Sequence, residues 1–84
     1  MKNKVLVQIS VPEINECYDI YLPVNRTIGN SISLISHSIY ELSNGTFTGT
    51  NKTFLYNSIT GEKYAPEVLI RKTNIRNGTK LILI

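Results

Sequence analysis

The spacing of apolar residues changes once along this chain, and that change limits the fold more than any other feature. Before Pro23, apolar and polar residues alternate in two short runs, a pattern typical of half-buried β-strands. After Pro23 the apolar residues recur every three or four positions, as on one side of an amphipathic helix. This apolar stripe consists of Ile28, Ile32, Ile35, Ile39 and Leu42. The sequence therefore predicts two strands followed by one helix.

The two alternating runs are close enough in sequence to form a hairpin. Pro12 has no backbone N–H and so ends the pairing of the first run, after which a short polar loop turns the chain. We therefore expect the two runs to pair antiparallel. Their inward faces are predicted to carry Val5, Val7, Ile9 and Val11 in the first strand and Tyr18, Ile20 and Leu22 in the second.

The predicted helix has clear ends but a weak interior. Thr27 precedes the apolar stripe and is a suitable N-cap, because its hydroxyl can accept a hydrogen bond from a first-turn N–H. Asn44 and Gly45 follow the stripe and favour the left-handed conformation that ends many helices. Gly29 and four serines lower the intrinsic helix propensity. The helix is therefore expected to depend on packing against the sheet.

A third strand is predicted at residues 53–56, after a polar connection at residues 46–50. Two orientations of this strand fit its pattern. Either Phe54 and Tyr56 face the core, or Leu55 does. The alternation alone leaves both open, because apolar residues occupy both faces.

Two further strands are predicted in the last part of the chain. A short fourth strand is expected around Lys63 and Tyr64, and a fifth at residues 80–84. Between them, Pro66 can open one helical turn that runs to Ile70. The predicted order is β-β-α-β-β-short turn-β, which indicates an α+β fold with one helix on a mixed sheet.

Length and residue counts exclude several classes of protein. Eighty-four residues suffice for one domain, which we expect over residues 1–84. A single cysteine, Cys17, and a single histidine, His37, exclude a disulfide framework, a zinc site of cysteines and a metal site of several histidines. Cys17 is predicted on the sheet face away from the helix that carries His37, too far for a nucleophile–histidine pair. No catalytic residue, metal ligand or cofactor is expected, and the chain is predicted not to be an enzyme.

The hydropathy pattern does not predict membrane insertion. No stretch approaches the ~18 consecutive apolar residues that cross a bilayer. The opening residues, MKNKVLVQIS, lack the uninterrupted apolar run of a secretory signal, and no small-residue cleavage site follows. A cytoplasmic protein is expected.

The element order and several residue intervals resemble the ubiquitin-like β-grasp fold. Thr27 and Ile28 are similar to the Thr-Ile pair that opens the helix of ubiquitin, and Thr27 lies five residues after Leu22. The resemblance implies an α+β fold in which one main helix packs on a mixed sheet of about five strands. Further residues lie at the intervals of a leucine, an Asn-Ile pair and the final-strand leucines of ubiquitin: Ile70, Asn74, Ile75, Leu81 and Leu83.

Three stretches resemble the YukD/EsaB family of bacterial type VII secretion accessory proteins. They are residues 4–9, residues 18–20 with the Leu-Pro that follows, and residues 75–84. The last resembles the family ending Ile-x-Asp/Asn-Gly-Asp-x-Leu-x-Leu, with Thr79 where an acidic residue is often found. The family implies a small cytoplasmic accessory protein that supports the export of WXG-type substrates, with secretion-machinery components as partners.

The end of the sequence bears on conjugation. The sequence ends at Ile84, inside the predicted last strand, without the terminal Gly-Gly of conjugated modifiers and sulfur carriers. Their chemistry needs a C-terminal glycine carboxylate that enters the active site of a partner enzyme. We therefore expect no conjugation to target proteins, unless the native protein extends beyond Ile84.

The outer face of the sheet, opposite the helix, is the first candidate docking surface. When Leu81 and Leu83 face the helix, their neighbours in the last strand face outward. Exposed apolar groups often mark binding sites, and a protein partner, a homo-oligomer contact or no role at all are the interpretations left open. The predicted partner-binding residues are Leu6, Leu55, Ile82 and Ile84, with Leu55 included for the orientation that turns it outward.

A basic edge is the second candidate surface. Residues 1–51 carry three Lys or Arg and four Asp or Glu, a net charge of −1, whereas residues 52–84 carry six and two, a net charge of +4. As an alternative function, a β-grasp domain could bind nucleic acid or an acidic protein through this edge. Nucleic acid is the less expected partner, because the cluster contains no aromatic residue on which bases could stack. The edge consists of Arg71, Lys72, Arg76 and Lys80.

Overall fold

Four strands and one long helix form the part of the chain that the structure describes. The computed structural model describes residues 3–45, 47 and 53–84. The strands are β1 (Lys4–Val11), β2 (Glu16–Pro23), β3 (Leu55–Asn57) and β4 (Lys80–Leu83), and the helix is α1 (Ile28–Leu42). Two single 3-10 turns lie at Pro12–Ile14 and Ile70–Lys72. Apart from Phe47, the connection predicted at residues 46–50 lies outside the described residues.

The four strands form one mixed sheet in the order β2-β1-β4-β3. β1 pairs antiparallel with β2 and parallel with β4, and β4 pairs antiparallel with β3. The predicted antiparallel hairpin is therefore confirmed, as is the α+β arrangement of one main helix on a mixed sheet. The parallel pair places the first and last strands side by side at the centre, so the two ends of the chain share one core.

The predicted fourth strand around Lys63 and Tyr64 is wrong, so the sheet has four strands rather than five. In this segment only Lys63 forms a β-bridge, to Tyr56. The chain then leaves the sheet edge and runs to the beginning of α1, where the carbonyl of Pro66 accepts a hydrogen bond from Gly29 N at 2.8 Å. A longer strand would prevent this contact. The helical turn predicted from Pro66 to Ile70 is instead a 3-10 turn that begins at Ile70.

Every N–H in the first turn of α1 has an acceptor. As predicted, the Thr27 hydroxyl accepts from Asn30 N at 3.1 Å, and the Thr27 carbonyl accepts from Ser31 N at 3.0 Å. The N–H of Ile28 donates to the Val68 carbonyl at 2.8 Å. Unsatisfied N–H groups at a buried helix start are costly, so these contacts fix where α1 begins.

Gly29, in the first turn of α1, leaves room for the close approach of Pro66. A Cβ atom at this position would lie 3.2 Å from the Pro66 carbonyl oxygen and 3.3 Å from the Pro66 Cβ. Glycine lowers helix propensity, but it also lets the loop before the 3-10 turn approach the helix. At the other end of α1, Asn44 and Gly45 adopt positive φ angles of 54° and 81°, which confirms the predicted stop.

The core lies between α1 and one face of the sheet. The apolar stripe of the helix is buried as predicted, except that its last member, Leu42, is 60% exposed. Leu42 borders a shallow depression with Ile14 and Tyr18. The buried hydrophobic residues form one cluster: Val7, Ile9, Val11, Leu22, Ile28, Ile32, Ile35, Ile39, Phe47, Leu55, Tyr64, Ile70, Ile75, Leu81 and Leu83.

The Ser31→Ala variant is expected to be more stable than the wild type. Ser31 is fully buried on the inner side of α1, and its hydroxyl has no hydrogen-bond partner among the residues that the structure describes. Removing such a hydroxyl should raise the free energy of unfolding by about 1–3 kcal/mol. Urea denaturation measures this change.

Ser33→Ala is the matched control, because Ser33 lies on the exposed side of the same helix. It should raise the free energy of unfolding only through helix propensity, by about 0.5 kcal/mol. Equal effects of the two substitutions would contradict a buried, unpaired hydroxyl at Ser31.

Candidate docking surface

The outer face of the sheet is the face that α1 does not cover. Successive side chains of a strand point to opposite faces, and Val7 and Ile9 of β1 are buried beneath the helix. The outer face therefore carries the residues between them, together with their partners in the paired strands. These residues are Lys4, Leu6, Gln8 and Ser10 of β1, Cys17, Asp19 and Tyr21 of β2, Tyr56 of β3, and Lys80 and Ile82 of β4.

The register of the strands divides this face into three rows. Tyr21 and Leu6 form the first row. Asp19, Gln8 and Lys80 form a polar second row across β2, β1 and β4. The third row runs across all four strands through Cys17, Ser10, Ile82 and Tyr56.

The polar row separates Leu6 from the apolar residues of β4. Ile82 pairs with Ser10, and Leu6 lies four residues before Ser10 on the same strand. At about 3.3 Å per residue, this offset is roughly 13 Å. The structure therefore does not bring Leu6 into one patch with Ile82 and Ile84. Instead, Leu6 adjoins Tyr21 and the Asn77 side chain, which accepts a hydrogen bond from Leu6 N at 2.8 Å.

Leu55 faces the core, so its prediction as an outward partner-binding residue is wrong. Its side chain is fully buried, and its neighbours Phe54 and Tyr56 are only half-buried on the outer side. Asn57, two residues further on, is also buried, and its side chain bonds to the Tyr64 hydroxyl and to the backbone N–H groups of Ile59 and Thr60. The polar residue at this inward position concealed the alternation of the strand.

Two aromatic and two aliphatic side chains form an outer apolar cluster, defined as Phe54, Tyr56, Ile82 and Ile84. Tyr56 pairs with Ile82 across β3 and β4. Phe54 and Ile84 continue the ladder through two backbone hydrogen bonds, at 2.6 and 3.1 Å. Ile84 is 56% exposed. Sequence reasoning found the two isoleucines and missed the two aromatics, which depended on the orientation of β3.

A cation borders the outer apolar cluster. The Lys63 ammonium lies 3.8 Å from the centre of the Phe54 ring, within the range of a cation–π interaction. The β-bridge between Lys63 and Tyr56 fixes the backbone at this point. The cluster is therefore aromatic and aliphatic at its centre and positively charged on one side.

A partly buried polar network holds the segment that carries Lys63. Asn57 Nδ2 donates to the Tyr64 hydroxyl at 3.0 Å, and that hydroxyl donates to Asn74 Oδ1 at 2.7 Å. Asn57 Oδ1 accepts from the backbone N–H groups of Ile59 and Thr60 at 2.8 and 3.0 Å. These bonds tie the turn after β3 to the segment before β4. The network therefore supports the cluster from behind.

The pKa of Tyr64 follows from this environment. Burial raises the pKa of Tyr64 above its ordinary value of 10.0, because the phenolate would lose its hydration. The hydrogen bond from Asn57 opposes this shift, and the nearby Glu62 carboxylate adds to it. Tyr64 therefore keeps its proton, and with it the donor to Asn74, throughout the neutral range.

The four residues of the predicted basic edge lie in three different segments. Arg71 and Lys72 belong to the second 3-10 turn, and Lys80 lies on the outer sheet face beside Gln8. The Arg76 guanidinium donates to the carbonyls of Thr73 and Ile75 at 2.7 and 2.8 Å. Arg76 thus also closes its own loop, and the role of the four cations in binding stays a prediction.

Cys17 and His37 lie on opposite sides of the sheet, as predicted. Cys17 is exposed on the outer face, with its Sγ 3.3 Å from the Ser10 hydroxyl. His37 lies on α1, where its Nε2 is 3.5 Å from a Glu41 carboxylate oxygen. Across the described ranges, no three His, Cys, Asp or Glu side chains are grouped as metal ligands would be. In the same ranges, no helix is long and apolar enough to span a bilayer.

Comparison with known proteins identifies the fold as ubiquitin-like. No family model matches the sequence, and no curated protein matches it either. Among solved structures, the ubiquitin-like domain of the Mycobacterium tuberculosis type VII secretion system protein EccD1 superposes with a TM-score of 0.76 at 14% identity, covering 96% of this chain and 97% of that one. The EccD5 ubiquitin-like domain from Mycobacterium xenopi gives 0.76 at 14% identity, with 96% and 92% covered.

A ubiquitin-like domain of another protein superposes equally well. The N-terminal ubiquitin-like domain of the 4931431F19Rik protein has a TM-score of 0.75 at 15% identity, covering 98% of this chain and 74% of that one. These likenesses establish the ubiquitin-like fold, with one helix on a mixed four-stranded sheet. Because a fold hosts many functions, the function must be argued from the surface.

Proposed function

We propose that this chain is a non-enzymatic ubiquitin-like docking protein, one domain over residues 1–84, that binds a protein partner through the outer apolar cluster. The cluster is the observation that carries this proposal. It places two aromatic rings and two isoleucines side by side on the face that α1 does not cover. Aromatic residues are enriched at protein interfaces, and charged residues are depleted at their centres, which is the composition found here.

The contacts around the outer apolar cluster suit it to docking. A binding site gains affinity when its side chains are ordered before the partner arrives, because less freedom is then lost on binding. Phe54 is held by Lys63 and by its ladder to Ile84, and Tyr56 by its pairing with Ile82. These contacts support the backbone and one ring of the cluster.

The partner we propose is a component of a bacterial type VII secretion machinery, and the place of action is the cytoplasm. Two observations support this assignment. The sequence resembles the YukD/EsaB family at residues 4–9, 18–20 and 75–84. The fold superposes on ubiquitin-like domains of EccD1 and EccD5, of which EccD1 is named as a type VII secretion system protein. In this proposal the chain supports the export of WXG-type substrates.

Export of WXG-type substrates by the source bacterium tests this function. A strain lacking the gene is expected to export less of these substrates, and the wild-type gene should restore export. The double variant Ile82→Asp/Ile84→Asp should not restore it, because two carboxylates would have to be buried against the partner. Substrate is measured in the culture medium and in the cells.

Leu34→Asp is the matched control for the double variant. Leu34 is an exposed aliphatic residue, 47% accessible, on α1 and therefore on the other side of the sheet. This variant should restore export, and both purified variants should give the circular dichroism spectrum of the folded wild type. Unchanged export in the deletion strain would contradict the secretion role, and full restoration by the double variant would contradict the docking surface.

A further inference from the structure

β2 is an outer strand of the sheet, and among the described residues its strand partner is β1 alone. It is the first strand in the order β2-β1-β4-β3 and runs for eight residues, Glu16–Pro23. The opposite edge is formed by β3, which has three residues and carries the Lys63 bridge. A long outer strand offers its unpaired backbone groups to any further strand.

The hydrogen bonds of β1 show which backbone groups of β2 point outward. Gln8 N donates to the Thr79 carbonyl at 3.1 Å, and the Leu6 carbonyl accepts from Gly78 N at 2.8 Å. The even-numbered residues of β1 therefore direct their backbone groups toward β4. In an antiparallel pair these directions alternate, so the odd-numbered residues of β1 bond to β2.

The residues of β2 whose backbone groups do not bond to β1 are Cys17, Asp19 and Tyr21. They stand opposite the even-numbered residues of β1, which bond elsewhere, so their own N–H and C=O groups point away from the sheet. In the part of the chain that the structure describes, no backbone group from outside the sheet bonds to them. Three consecutive donor–acceptor positions are thus free along this edge.

The free edge of β2 is acidic. Glu16 and Asp19 lie on the strand and Glu13 on the turn before it, and the sequence contains no Lys or Arg between residues 5 and 25. None of the three carboxylates is ion-paired with a residue that the structure describes. Their charge is therefore available to a positively charged partner along the strand.

The same charge opposes pairing with a second copy of this chain. Two β2 strands that used all three free positions would pair antiparallel around Asp19, which would then face its own copy. Like charges directly opposite each other on a sheet are destabilising. A second copy is therefore a poorer occupant of this edge than a strand of opposite charge.

The side chains around the free edge of β2 indicate which residue types would alternate along a strand bound there. Its outward residues would lie beside Asp19, where a cation is favoured. Its inward residues would lie beside the half-buried Tyr18 and Ile20, and the exposed Glu16 side chain lies on this same side, near the shallow depression that it lines with Leu42. Apolar side chains suit this inner side, because they would cover apolar surface that α1 leaves open.

We infer that the free edge of β2 binds an extended peptide segment of alternating basic and apolar residues, which adds to the sheet as a fifth strand. Main-chain hydrogen bonds to Cys17, Asp19 and Tyr21 supply the attachment, and the Asp19 carboxylate on the outer face selects for positive charge. This edge is separate from the outer apolar cluster. Binding at one surface can therefore be absent while binding at the other is present.

The probe for this inference is the acetylated and amidated peptide Lys-Val-Lys-Val-Lys-Val-Lys, titrated into the full chain and followed by amide NMR. The amide signals of Cys17, Asp19 and Tyr21 should shift and exchange more slowly with solvent. The peptide Glu-Val-Glu-Val-Glu-Val-Glu should bind at least 10-fold more weakly. Equal binding of the two peptides, or shifts confined to the outer apolar cluster, would overturn the inference.

Three substitutions separate the contribution of the main-chain hydrogen bonds from that of the charge. Tyr21→Pro removes an outward N–H, which an edge strand tolerates, and should weaken the lysine peptide at least 10-fold. Tyr21→Val loses the same ring but keeps the N–H, and should bind within about 3-fold of wild type. Asp19→Asn should weaken binding several-fold. An amide spectrum of the folded type is required for each variant, and wild-type affinity in Tyr21→Pro would refute strand addition.

Discussion

Replacing Ile35 by alanine is expected to lower the free energy of unfolding by about 2–5 kcal/mol. Ile35 is fully buried in the middle of the apolar stripe of α1, where no solvent reaches its side chain. The substitution removes apolar burial and leaves a cavity between helix and sheet. A chain of 84 residues has a total stability of roughly 4–13 kcal/mol, so this loss is a large share of it. Urea denaturation measures it.

The adjacent residue provides the control for this prediction. Leu34 is 47% exposed and lies on the solvent side of the same helix turn. Leu34→Ala should change the free energy of unfolding by less than about 1 kcal/mol. Similar losses for the two variants would mean that α1 does not pack on the sheet through its apolar stripe.

Tyr64→Phe is expected to lower the free energy of unfolding by about 1–3 kcal/mol. The substitution keeps the ring but removes the hydroxyl that links Asn57 to Asn74, so the buried Nδ2 of Asn57 loses its acceptor. Tyr40→Phe is the matched control, because Tyr40 is 49% exposed. It should leave stability within about 0.5 kcal/mol of wild type.

Tyr64→Phe also isolates the pH dependence of stability that Tyr64 causes. Because the pKa of Tyr64 is raised in the folded state, the folded chain holds this proton more tightly than the unfolded chain does. The stabilisation of the folded state that comes from this proton is therefore complete below pH 10. It is lost as the pH rises through the pKa of Tyr64 in the folded state. The stability difference between wild type and Tyr64→Phe should shrink above pH 10. A constant difference from pH 8 to pH 12 would contradict the shift.

Local patterns predicted the elements that depend on nearby residues. The apolar stripe and Thr27 fixed the helix at residues 28–42 with the cap that the structure contains. The first two runs predicted the hairpin, because alternation and a short loop leave few other ways to bury both apolar faces. These inferences succeeded because the information needed for each lies within one turn or one strand.

The candidate surface was predicted only in part, because it depends on strand register and orientation. Ile82 and Ile84 could be found from the alternation of β4. Phe54 and Tyr56 could not, because a hydrogen-bonded Asn57 takes an inward position that alternation assigns to an apolar residue.

By itself, the sequence determined a hairpin, a capped helix and a final strand, since periodicity and capping are local properties. The tertiary structure decided which of their residues meet. The parallel register of β1 and β4 placed Ser10, rather than Leu6, beside Ile82, and so divided one expected patch into two. The segment expected to form the fourth strand instead leads into a loop that approaches Gly29 through Pro66 and satisfies the helix start. Both outcomes rest on contacts between residues far apart in the chain, where hydrogen bonding and close packing, rather than periodicity, select the arrangement.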